Sequence, residues 1–114
     1  MNMEMEGFEQ ELQALKEAYA EQLPAKLAQI DELWGVLVDK RWDEATFNTF
    51  HRTVHSMAGS AAVFGFSAMG KCARELEISL KAVAASGEPL SDEQYEAFAV
   101  QVEAIRASAQ LPDG

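Results

Sequence analysis

The sequence predicts an all-α protein, an antiparallel four-helix bundle with an additional N-terminal helix. Apolar residues recur at spacings of three and four, which is typical of amphipathic helices. No alternating run of β-branched residues occurs, and no Asn-Gly or Asp-Gly pair joins two such runs. The 114 residues are the length of one domain. We therefore expect a single domain over 1–114, with its core at about 22–109 and mobile ends at 1–6 and 110–114.

Two predicted helices precede residue 40. The first has its apolar residues at Phe8, Leu12, Leu15 and Tyr19. The second has them at Leu23, Leu27, Ile30, Leu33, Trp34 and Leu37. Pro24 is acceptable in a first helical turn, where its missing N–H costs nothing. The two helices are predicted to be nearly continuous, with a join near Gln22.

The third helix follows a break at 40–42, with Asp43 as its predicted N-cap. Its apolar residues are Phe47, Phe50, Val54, Met57, Ala61 and Phe64. Gly65 is expected to end it, since glycine is favoured just past a helix.

The fourth helix is predicted to begin at a Ser67 cap and to end at Gly87 and Pro89. Its apolar stripe is Met69, Cys72, Ala73, Leu76, Leu80 and Val83. Ser91 and Gln94 then form a predicted capping box for the last helix. That helix carries Tyr95, Phe98, Val102 and Ile105.

The composition limits the partners and the compartment. The net charge of −10 argues against binding to nucleic acid or to an anionic membrane, and self-repulsion favours a monomer. The single cysteine, Cys72, makes no internal disulfide and fits a reducing cytoplasm. The N-terminus lacks the features of a signal peptide, and no apolar run of about 20 residues occurs. We expect a cytoplasmic protein without a membrane span.

The charge is unevenly distributed along the chain. Residues 40–81 contain four acidic and six basic residues, whereas 1–39 contain nine and two, and 82–114 contain six and one. The third and fourth helices are thus locally cationic within an anionic protein. Taken alone, chance variation along solvated helix faces explains this pattern equally well.

Both histidines of the chain, His51 and His55, lie on the third helix at a spacing that places them on one face. A zinc site would need two further ligands. Cys72 lies on an apolar stripe and no His-Glu-x-x-His pattern occurs, so we expect no metal. His51 is interpreted as a structural residue.

Small residues follow His55 at positions +3, +4 and +7, namely Ala58, Gly59 and Ala62. Glycine inside a helix costs about 1 kcal/mol relative to alanine, so Gly59 needs an explanation. One explanation is close packing of two helices. The other is a flat surface that lets a second protein bring its backbone up to the imidazole.

Glu77 is predicted to lie beside His55. In an antiparallel pair that turns near 65–66, both residues lie about 16 Å from the turn. Glu77 could then accept a hydrogen bond from Nδ1–H of His55 and leave Nε2 free. The alternative is a solvated ion pair of Glu77 with Arg74 or Lys81.

The surroundings of His55 favour phosphoryl chemistry over other nucleophilic roles. No serine or cysteine elbow and no phosphate-binding glycine loop occurs, so the sequence offers no ATP site. A single activated histidine near Lys71, Arg74 and Lys81 suits the acceptance and release of a phosphoryl group, whose charge the basic side chains would balance.

The segment His55-Ser-Met-Ala-Gly-Ser-Ala-Ala-Val-Phe-Gly-Phe66, followed by Cys72-Ala-Arg-Glu-Leu-Glu77, resembles the signature of histidine-containing phosphotransfer (HPt) domains. The resemblance implies a four-helix bundle whose histidine carries phosphate between aspartates of response-regulator receiver domains. It implies that His55 is the phospho-acceptor, that Gly59 provides access and that Glu77 binds the imidazole. The expected partners are receiver domains and a cognate hybrid histidine kinase. The domain would need no cofactor and would not be an enzyme itself, because the receiver supplies Mg²⁺.

Many members of this family have lysine where this chain has Ala58. Two outcomes are open at this position: Arg52, Lys71, Arg74 or Lys81 replaces that cation, or the phosphohistidine is less stabilised than in those members. An apolar docking patch is also expected, with Phe66 in the turn as its exposed member and Met57 and Phe64 more consistent with core packing. The residues assigned to the phosphate and partner surroundings are Arg52, Ala58, Gly59, Ser60, Ala62, Phe66, Lys71, Arg74 and Lys81.

Two alternatives stay open. The chain could be the phosphotransfer domain of a larger histidine kinase, although an initial methionine and a short tail favour a separate protein. Alternatively, the change to Ala58 could mark a docking module that no longer carries phosphate.

Overall fold

A computed structural model describes residues 3–40 and 43–113, with side chains described over 7–39 and 43–113. Four helices form the fold: α1 (Met3–Lys40), α2 (Glu44–Ser60), α3 (Ser67–Ser86) and α4 (Asp92–Ser108). Helix α2 packs on α3, α3 on α4, and α1 on both α2 and α4. The predicted all-α bundle is confirmed, and no strand occurs in these two ranges. The predicted break at 40–42 lies largely outside the described residues, since 41 and 42 are not among them.

The predicted additional N-terminal helix is not present as a separate element. Helix α1 is continuous over 38 residues, with Pro24 inside it. Pro24 has no N–H for the carbonyl four residues earlier. Nevertheless, one buried stripe continues on both sides of it, through Tyr19 and Leu23 to Ile30 and Leu37. Packing of that stripe against the bundle holds the helix together across the missing hydrogen bond.

Helix α2 ends at Ser60, four residues earlier than the apolar spacing predicts. Residues 61–65 form a tight turn, in which the N–H of Phe66 donates to the carbonyl of Ala61 at 2.8 Å. Gly65 has φ +93°, a left-handed conformation that favours glycine. It lies in this turn and does not end α2, whose C-cap is Ala61, so its predicted role as the stop residue is wrong.

The turn places Phe66 differently from the sequence prediction. Phe66 is 7% exposed and belongs to the core, so it is not an exposed member of a docking patch. Tyr19 of α1 lies beside it, with the ring centroids 6.0 Å apart, and stacks on the half-buried Phe64 at 4.9 Å. The chain turns its aromatic side chain inward here because the long α1 helix covers the end of the α2–α3 pair.

The C-terminal tail is bound to this turn, in contrast to the predicted mobile end. The backbone N–H of Asp113 donates to the carbonyl of Gly65 at 2.8 Å. The Asp113 carboxylate accepts from the backbone N–H of Ser67 at 3.2 Å and from its hydroxyl at 2.7 Å. Asp113 therefore caps α3 from a distance, while Ser67, the predicted cap, is the first helical residue.

The ends of the other helices agree with the sequence analysis. Asp43 occupies the N-cap position of α2. Gly87, at φ +68°, ends α3. Ser91 and Gln94 form the predicted capping box, with the Gln94 N–H donating to the Ser91 hydroxyl at 3.2 Å and the Ser91 N–H donating to the Gln94 side chain at 2.8 Å.

The core joins all four helices. The largest fully buried side chains are Phe50, Ile30, Leu37, Met69, Leu76, Leu80, Ile105 and Val54. Trp34 lies between α2 and α4, with its ring 5.9 to 6.2 Å from those of Phe50, Tyr95 and Phe98. At the surface, Arg106 of α4 donates a hydrogen bond to the Asp31 carboxylate of α1, which raises the pKa of Arg106 and joins these two helices. None of the described helices is long and apolar enough to cross a membrane.

Candidate functional site

The α2–α3 pair positions the site. Val54 precedes His55 and Leu76 precedes Glu77, and both apolar residues are fully buried. Gly70 brings the helices together near the turn, because a Cβ at this position would lie 3.4 Å from both the Ala61 Cβ and the Ala62 nitrogen. The close helix packing that the sequence analysis considered for Gly59 therefore occurs at Gly70.

His55 and Glu77 form a hydrogen bond between the two helices. The Nδ1 atom of His55 lies at Oε2 of Glu77. A carboxylate is an acceptor, so Nδ1 carries the proton, and in the neutral ring Nε2 then has its lone pair free. The His55 side chain is 68% exposed, whereas that of Glu77 is 8% exposed. A buried carboxylate thus holds one edge of the ring and leaves the other edge to solvent.

His51 approaches the same carboxylate. Its Nε2 atom lies 3.7 Å from Oε2 of Glu77, and its side chain is 26% exposed. From the sequence, His51 is interpreted as structural, without a connection to Glu77. Its four-residue spacing from His55 could have indicated this contact, because it places both rings on the side of α2 that faces α3. The ion pairs that the described structure gives Glu77 are with these histidines and not with Arg74 or Lys81.

The cations predicted around His55 separate into two groups. Arg52 and Lys81 line a shallow depression at His55, together with Asn48, His51 and Glu77. Lys71 and Arg74 are exposed on α3 and lie outside that lining. In the described part of the chain, no group of three or more His, Cys, Asp or Glu side chains is arranged to hold a metal ion. The depression therefore combines one buried carboxylate with two exposed cations.

Gly59 lies open beside His55. A Cβ at Gly59 would meet no atom within 4 Å, and the residue is exposed, as is Ala62. Ala58, in contrast, is buried at 6% and faces the core, so it is not part of the exposed surface near the imidazole. A flat surface at Gly59 and Ala62 is consistent with access for a partner protein.

Ser60 contacts the first helix. Its hydroxyl donates to the carbonyl of Ser56 at 2.9 Å and lies 3.2 Å from the Tyr19 hydroxyl. Ser60 thus joins α2 to α1. The described structure gives Ser60 no contact with the His55 ring or with Glu77.

The fold and the site define a helical bundle with a solvent-facing histidine bound by a buried carboxylate. The family model described as Hpt domain matches residues 5–108, and the chain belongs to this family. No curated protein and no solved structure matches it. Hpt domains are histidine phosphotransfer modules of phosphorelays, in two-component signalling, and they act as phosphocarriers. The resemblance found in the sequence is confirmed over nearly the whole chain.

Replacing the carboxylate tests its contribution. We expect Glu77→Gln to slow phosphoryl transfer from a phosphorylated receiver domain about tenfold, because an amide of the same shape does not balance charge on the ring. The rate is measured by the appearance of labelled phosphate on the domain. Glu75→Gln, at an exposed position on α3, is the control and should retain the original rate. An unchanged rate in Glu77→Gln would remove this residue from the chemistry.

Gly59 offers a test that separates stability from access. We expect Gly59→Gln to stabilise the bundle by at most about 1 kcal/mol, since glutamine has a higher helix propensity than glycine, the position lies in the last turn of α2 and the site has room. The same variant should slow transfer about tenfold or more, because its side chain lies where a partner must approach. Denaturant unfolding and the transfer assay measure the two effects.

Gly35→Gln is the matched control, since Gly35 is also exposed on a helix with no atom within 4 Å of an added Cβ. It should show the gain in stability with no change in transfer. If Gly59→Gln transfers phosphate as fast as Gly35→Gln, the access role of Gly59 is wrong.

Proposed function

We propose that His55 is the phospho-acceptor of this domain and exchanges a phosphoryl group with aspartates of receiver domains. The observation that carries the proposal is the asymmetric environment of the ring. Nδ1 is bound by the buried Glu77, while the side chain is 68% exposed. In this orientation Nε2 is the nitrogen available to a second protein.

The transfer follows from this arrangement. The Nε2 lone pair attacks the phosphorus of an aspartyl phosphate, and the bond from phosphorus to the aspartate oxygen breaks. The aspartate leaves as a carboxylate with the electron pair, and the imidazole ring becomes positively charged. Glu77 balances that charge through the Nδ1–H bond. In the reverse direction, a receiver aspartate attacks the phosphorus and the neutral ring returns.

Two cations would accompany the phosphoryl group. Arg52 on α2 and Lys81 on α3 line the depression at His55, and their long side chains can reach phosphate oxygens. They would replace the lysine that many family members have at the position of Ala58. Lys71 and Arg74 would act at longer range by attracting the acidic pocket of a receiver.

The partner would supply the remaining catalysis. Mg²⁺ prefers several oxygen ligands, and the depression at His55 offers a single carboxylate between two cations. We therefore place the Mg²⁺ in the acidic pocket of the receiver and assign no cofactor and no independent enzymatic activity to this domain. The site comes from one chain, so a monomer suffices, and we place the exchange in the cytoplasm with receivers and a hybrid histidine kinase.

The two histidines allow a matched test. The protein is incubated with a phosphorylated receiver domain, and base-stable, acid-labile phosphate on the chain is measured. We expect His55→Gln to abolish the label, since it removes the nucleophile. His51→Gln makes the same chemical change one helical turn away and should retain the label.

Two outcomes would contradict the proposal. Label on His55→Gln would place the acceptor elsewhere. Absence of label on the original protein with every receiver tested, together with stable binding to one of them, would instead favour the docking module that carries no phosphate.

A further inference from the structure

Two imidazoles converge on one oxygen atom of Glu77. Oε2 binds Nδ1 of His55 and lies 3.7 Å from Nε2 of His51. The first ring is largely exposed and the second is half-buried, at 68% and 26% side-chain exposure. Only the first contact has a place in the phosphotransfer chemistry described above. The second needs its own explanation, since nothing in that chemistry uses it.

We propose that His51 is a positioning residue that holds the Glu77 carboxylate in the orientation that binds Nδ1 of His55. This inference rests on the proposed function of His55. In this role His51 acts through Glu77.

The Glu77 side chain has conformational freedom that a single contact restricts only in part. The side chain extends from α3 toward α2 and ends in a carboxylate that can rotate about its last bond. His55 alone is a weak restraint, because its own ring is mostly in solvent. A second N–H group near the same oxygen, on Nε2 of His51, favours the Glu77 rotamer in which Oε2 faces α2.

The His51 ring, in contrast, is restricted in position by its packing. Its ring lies against the buried Phe47, with centroids 6.2 Å apart at an interplanar angle of 52°. It is half-buried between α2 and α3, so less freedom is lost when it faces Glu77. At 3.7 Å the contact is an electrostatic one, longer than a direct hydrogen bond. A proton on Nε2, in a neutral or a charged ring, makes this electrostatic contact with the carboxylate attractive.

The same geometry argues against His51 as a second acceptor. Its Nε2 atom lies 3.7 Å from a carboxylate that is 8% exposed. A phosphoryl group there would be brought against a buried negative charge. His51 is therefore suited to hold Glu77 and unsuited to carry phosphate.

The test uses three variants of the full chain. His51→Leu removes the nitrogen and keeps an apolar side chain against Phe47, while His51→Gln retains an amide N–H of similar reach. Thr49→Leu is the control, since it makes a polar-to-apolar change at an exposed position of the same helix, outside the depression and without a contact to Glu77 in the described structure. Thermal unfolding verifies that each variant is folded.

The decisive readout is the proton position on the His55 ring, measured by ¹⁵N-edited NMR of the unphosphorylated protein. We expect His51→Leu to lower the share of rings with the proton on Nδ1 and to slow phosphoryl transfer about threefold to tenfold. His51→Gln should restore both values, and Thr49→Leu should leave both unchanged.

An unchanged proton position in His51→Leu would overturn the proposal, as would an equal change in His51→Gln, because packing alone would then explain the residue. The NMR readout needs no phosphate. If the original protein accepts no phosphate, the proposed function fails, whereas the contact between His51 and Glu77 is still decided by this measurement.

Discussion

The hydrogen bond between His55 and Glu77 gives the site its chemistry, and it forms only where α2 and α3 hold both residues in register. It crosses from α2 to α3, so it requires both residues at the same distance from the turn. It also requires a carboxylate that is nearly buried, which is costly unless the charge has partners. Two imidazoles provide those partners. The result is an imidazole with one nitrogen engaged and the other facing solvent.

Several distant features maintain that alignment. Gly70 allows α2 and α3 to approach at the turn, Gly65 closes the turn, and Asp113 caps the start of α3. The aromatic residues of α1 and the turn cover this end of the bundle. None of these residues touches His55. Their contribution is to fix the relative height and rotation of two helices, and a change in either would move Glu77 away from the ring.

The sequence predicted the features that depend on local chemistry. Apolar spacing located the helices, Gly87 and the capping box located the end of α3 and the start of α4, and helical rise placed Glu77 opposite His55. The predictions were wrong where contacts between distant parts of the chain determine the local structure. Packing on both sides of Pro24 made α1 continuous, α1 covered Phe66, and Asp113 capped a helix 46 residues away. The four-residue spacing places His51 and His55 on the same side of α2, but the 3.7 Å approach of His51 to Glu77 also depends on the rotation of α3, which spacing does not define.

The most direct test of the central claim is the identity of the atom that carries phosphate. Phosphorylated protein, labelled with ¹⁵N in its histidine rings, is studied by NMR for coupling between ³¹P and ring nitrogens. Because Glu77 occupies Nδ1, we expect coupling to Nε2 of His55 and a proton retained on Nδ1. Coupling to Nδ1 of His55, or phosphate on His51 or on a carboxylate, would contradict this account of the site.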